Sequence, residues 1–69
     1  MDVQEVRKLD AYLKKLFGNA RIRVVPRPKK EASAEVYVGD EFIGVLFVDD
    51  EDDVRSYNLQ MAILGADLE

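Results

Sequence analysis

The sequence predicts an α+β fold, an N-terminal helix packed on one face of a four-stranded antiparallel meander in the order α-β-β-β-β. Three observations carry that expectation. Val6, Leu9, Leu13, Leu16 and Phe17 recur at three- and four-residue spacing, the period of a helix. From Arg21 onward apolar residues alternate with polar ones, the period of a strand. Gly39-Asp40 separates two such alternating runs and is the type of two-residue loop that closes a hairpin.

The helix is expected over residues 3–17. Asp2 is placed as its N-cap, and Glu5 three residues on completes a capping box. Lys14 and Lys15 fall in the last turn, where cations suit the helix dipole, and Gly18 is placed as the residue that stops it.

The first strand is expected over residues 21–25, where Ile22 and Val24 alternate with Arg21 and Arg23. Pro26 and Pro28 end it and suit a sheet edge, because proline donates no ladder hydrogen bond. Residues 33–38 and 41–48 form the hairpin. Its turn sets Val38 opposite Glu41, Tyr37 opposite Phe42 and Val36 opposite Ile43. In that register Ala34, Val36, Val38, Ile43, Val45 and Phe47 share the face under the helix, and Ser33, Glu35, Tyr37, Phe42, Gly44, Leu46 and Val48 share the other. The last strand is expected over residues 56–64, with Tyr57, Leu59, Met61 and Ile63 on one side. Gly44 stands inside a strand, where glycine marks a bulge or the close approach of another backbone.

At 69 residues the chain makes one domain, taken as residues 1–67, with Leu68-Glu69 resembling the junction before an affinity tag. A chain this short buries roughly 60% of its unfolded surface, so self-association is a natural source of further burial. Neither cysteine nor histidine occurs. That removes disulfides, thiolate or imidazole metal ligands, and the commonest general base. Ser33 and Ser56 therefore have no imidazole to activate them, and the four glycines form no phosphate loop. No enzyme and no cofactor is expected. No apolar run reaches the roughly 18 residues of a membrane span, no signal peptide is read at the start, and a cytoplasmic location is expected.

The net charge of −4 divides unevenly. Residues 1–30 hold nine Lys/Arg and three Asp/Glu, or +6; residues 31–69 hold one Arg and eleven Asp/Glu, or −10. The folded halves are expected to lie side by side and neutralise each other. The five acids of 49–53 lack the alternation and central glycine of a calcium loop, so a solvated turn is expected and no metal.

The sheet face away from the helix is the main candidate site. Tyr37, Phe42, Leu46 and Val48, with Val25 from the first strand, form an apolar centre with a polar rim, the make-up of a contact surface. The leading expectation is a non-enzymatic interaction domain that uses this face for a homodimer or a protein partner. The alternative is single-stranded nucleic acid, held by Arg21, Arg23, Arg27, Lys29 and Lys30 with Tyr37 as a stacking platform. The acidic pI of about 4.7 weighs against that alternative.

The stretch Arg21 to Lys30 with its Val25-Pro26-Arg27-Pro28, the run Gly39-Asp40-Glu41-Phe42-Ile43-Gly44, and the stretch Ser56 to Leu64 together resemble a small alphaproteobacterial family described as a domain of unknown function. The resemblance covers nearly the whole chain. It implies a free-standing bacterial cytoplasmic protein and supplies no activity, cofactor or functional residue.

Overall fold

Asp2 and Glu5 start the helix as a reciprocal pair. The Asp2 carboxylate accepts the Glu5 N–H at 2.8 Å, and the Glu5 carboxylate accepts the Asp2 N–H at 3.2 Å. Two amides that the helix itself leaves without partners are thereby satisfied. Helix α1 runs Val3–Phe17. Gly18 ends it in the left-handed region at φ 60°, where its N–H bonds to Lys15 O and the next N–H, of Asn19, to Lys14 O. The computed structural model describes residues 1–50 and 54–68.

Four strands follow: β1 Ile22–Pro26, β2 Ser33–Val38, β3 Glu41–Asp49 and β4 Ser56–Gln60. All neighbours are antiparallel and the sheet order is β1-β2-β3-β4, the meander the sequence predicts. A short 3-10 turn, Gly65–Leu68, comes last.

The hairpin departs from the expected register at one residue. Val38 opposes Glu41 and Tyr37 opposes Phe42, but Val36 opposes Gly44, so Ile43 is an extra residue without a partner. This is a β-bulge. One inserted residue turns every later side chain of β3 to the other face. Leu46 therefore lies opposite Ala34 beneath the helix, only 3% exposed, and Val48 lies on the same side opposite Tyr57. Val45 and Phe47, expected under the helix, project from the opposite face. Gly44 serves both purposes the sequence allowed: it adjoins the bulge, and a Cβ on it would stand 2.5 Å from the Gln60 carbonyl oxygen that passes over it.

The helix lies toward the β1 edge of the sheet. Asp10 accepts the Val24 N–H at 3.0 Å and is itself paired with Lys14. The carboxylate thus occupies an edge-strand amide that would otherwise be open to another chain. Val6 and Leu13 from the helix close over Ile22, Val24, Ala34, Val36 and Leu46 to form the core. The end of the helix stripe is not covered: Leu16 and Phe17 are more than half exposed. A helix offset to one edge covers only part of a four-stranded face.

β4 ends at Gln60 rather than at Leu64. Its ladder with β3 runs out at Val45↔Gln60, next to the bulge that bends β3 away.

Candidate functional site

The face away from the helix gathers Arg23 and Val25 from β1, Glu35 and Tyr37 from β2, Phe42, Val45 and Phe47 from β3, and Asn58 and Gln60 from β4. Tyr37 and Phe42 meet edge to face, with ring centroids 5.6 Å apart and planes at 75°. That geometry sets the positive edge of one ring against the negative face of the other. The Arg23 guanidinium lies 5.1 Å from the Tyr37 ring centroid. It is held there by hydrogen bonds from Nε and Nη2 to the Gly39 carbonyl, at 3.1 and 2.8 Å. Tyr37 in turn donates its hydroxyl to Glu35 at 3.0 Å. That bond to a carboxylate raises the Tyr37 pKa above its usual 10.0, with desolvation adding to it. The result is an ordered aromatic pair in which Phe42 is 51% exposed, with Phe47 at 40% along the same strand.

Of the contact candidates read from the sequence, Tyr37, Phe42 and Val25 lie on this face. Leu46 and Val48 do not, because the bulge puts them on the helix side, and Val45 and Phe47 take their places. The signal for this was Gly44, whose position inside a strand already indicated a bulge.

The five cations of the nucleic-acid alternative are not gathered on one face. Arg21 precedes β1 and Arg27, Lys29 and Lys30 follow it, so the two groups stand at opposite ends of a five-residue strand, about 17 Å long. Arg23 is committed to Tyr37 and Gly39, and Arg27 donates to Ser33 Oγ at 3.3 Å.

Arg55 pairs with Glu5 at 2.8 Å, which joins the halves, but the acid comes from the basic half and the cation from the acidic half. The Val48 N–H donates to the Ala32 carbonyl at 2.9 Å, so Asp49 and Asp50 stand at the same end of the sheet as Lys29 and Lys30 in the β1–β2 connection. Of the acidic run, residues 51–53 lie outside the described residues. Among the described residues no cluster of acids could hold a metal ion, and no helix is long and apolar enough to cross a membrane.

A second apolar surface, not foreseen from the sequence, lies on the helix side. Between α1 and β4 runs a groove with two cavities of about 510 and 360 Å³. Leu9, Tyr12 and Phe17 form its helical wall, and Leu46, Leu59 and Ile43 its floor. One end is tied across by Glu5, which accepts the Tyr57 hydroxyl at 2.5 Å and pairs with Arg55. The Tyr57 hydrogen bond lowers the Glu5 pKa below its usual 4.5, and the same bond raises that of Tyr57.

The profile of DUF3126, a family of proteins of unknown function, matches residues 5–67. The chain belongs to this family. The match takes in most of the helix, all four strands and most of the final turn. No curated protein and no solved structure matches the chain.

Proposed function

We propose that this DUF3126 protein is a non-enzymatic interaction domain that docks another protein chain through the aromatic face of its sheet. The observation that carries the reading is the Tyr37–Phe42 pair, in which Tyr37 is half-buried and held by Arg23 and Glu35 and Phe42 is 51% exposed. Exposed aromatics held in place lose little entropy on binding, which is why such residues anchor protein interfaces. Val45 and Phe47 extend the apolar centre, and Arg23, Glu35, Asn58 and Gln60 supply a polar rim. The resemblance to alphaproteobacterial proteins is consistent with action in a bacterial cytoplasm. A partner should present an apolar side chain to Phe42, with polar groups around it to meet Arg23 and Glu35.

The test is to immobilise the wild-type chain and its Phe42→Ala variant, capture proteins from a soluble extract of the source cells, and titrate each captured protein in purified form. Phe42→Ala is expected to weaken binding about tenfold or more, or about 1.4 kcal/mol. Capture and affinity that are unchanged in Phe42→Ala would remove this face as the docking site.

A further inference from the structure

β4 stops at Gln60, but its sequence pattern does not. Met61, Ile63 and Leu64 continue as an apolar run with no strand to pair with, and Ile63 and Leu64 are 67% and 64% exposed. Leu68 in the following turn is 79% exposed. The molecule measures 42 × 23 × 23 Å, and its radius of gyration of 12.7 Å exceeds the roughly 11 Å of a compact chain this long. The fold is therefore elongated and leaves an apolar segment outside its core.

The groove between α1 and β4 fits that segment in length and in charge. From Leu9 to Phe17 the helical wall is about 12 Å long, and the four residues 61–64 span about 13 Å when extended. Lys8 is the cation that lines the groove, its neighbour Glu5 being already paired with Arg55, while the segment carries Asp67 and no cation. The segment of the same chain is badly placed to enter. Met61 stands at the mouth of the groove beside Phe17, and Ala62, Ile63 and Leu64 include no turn-forming residue that would reverse the chain before Gly65.

We propose that residues 61–68 are an exchange arm, and that Ile63 and Leu64 of one copy seat in the α1–β4 groove of a second copy. The exchange is reciprocal about a two-fold axis, so both arms and both grooves are covered together. This self-association uses the helix side of the sheet and draws Leu64 and Asp67 away from the cavity of about 600 Å³ that they line with Phe42, Val45 and Phe47 in the single chain, so variants on the two faces separate the two proposals.

Sedimentation equilibrium of the full chain tests it. Wild type is expected to be a dimer, and Ile63→Asp with Leu64→Asp is expected to weaken dimerisation about tenfold or more while helix content and cooperative unfolding persist. A wild type that stays monomeric, or an arm variant that stays as dimeric as wild type, overturns the proposal. Because the chain has no cysteine, Tyr12→Cys and Leu64→Cys placed in one chain report the geometry directly. Oxidation should give a covalent dimer of twice 7.9 kDa. An internal cross-link, or none, overturns the exchange. Phe42→Ala should leave the dimer intact, and a dimer lost in Phe42→Ala but retained in the arm variant would place self-association on the other face instead.

Discussion

Ile43 has no partner across the hairpin, and from Gly44 to Asp49 the two faces of β3 are exchanged as a result. The consequence is measurable at two adjacent residues. Leu46 is sealed under the helix and Phe47 stands on the open face. Leu46→Ala should cost about 2–5 kcal/mol, the range for emptying a buried leucine site. Phe47→Ala should cost about 1 kcal/mol or less, as surface substitutions do. Urea unfolding of the two variants checks this, and the reverse order would restore the unbulged register. Phe42 is a different case. Its edge-to-face contact with Tyr37 contributes about 0.5–1.5 kcal/mol, so Phe42→Ala loses some folding stability even before any partner is considered. The binding loss must exceed that to count.

At the scale of elements, β4 is tied to the helix by one polar cluster, Glu5 with Tyr57 and Arg55. The folded pKa of Glu5 lies below its unfolded value of 4.5, chiefly through the Tyr57 hydrogen bond. Its contribution is therefore complete above pH 4.5 and is lost as pH falls through the lower folded value. The folded pKa of Tyr57 lies above 10.0 for the same reason, so its contribution is complete below pH 10 and is lost as pH rises through the folded value. Glu5→Gln should accordingly flatten the fall in the urea midpoint below pH 4.5 and lower the midpoint near neutrality. An acid limb as steep as that of wild type would show that the cluster does not hold β4. Helix α1 was legible in the sequence from its stripe, capping box and terminal glycine, because each is a local signal. The hairpin turn was legible for the same reason. The offset of the helix through Asp10 and Val24 and the early end of β4 were not, since both depend on contacts between residues far apart in the chain, and Gly44 signalled a bulge without fixing which residue it would leave unpaired. The open face was consequently read with Tyr37, Phe42 and Val25 in place and with Leu46 and Val48 where Val45 and Phe47 stand.

For the whole molecule, one helix over part of one sheet face is too little cover for a chain in which 48% of residues are hydrophobic. Among the described residues the core takes seven buried apolar side chains, and aromatic and aliphatic groups remain on both sides of the sheet. Such a molecule favours a partner that covers its exposed apolar groups. The claim that the open aromatic face is covered when the protein works can be tested without knowing the partner. Hydroxyl-radical footprinting would compare side-chain oxidation in living cells with that of the dilute purified protein, taking Val3 as the exposed reference. The account predicts that Phe42 and Phe47 are shielded in cells relative to the purified chain. Equal oxidation of both residues in the two settings would contradict it.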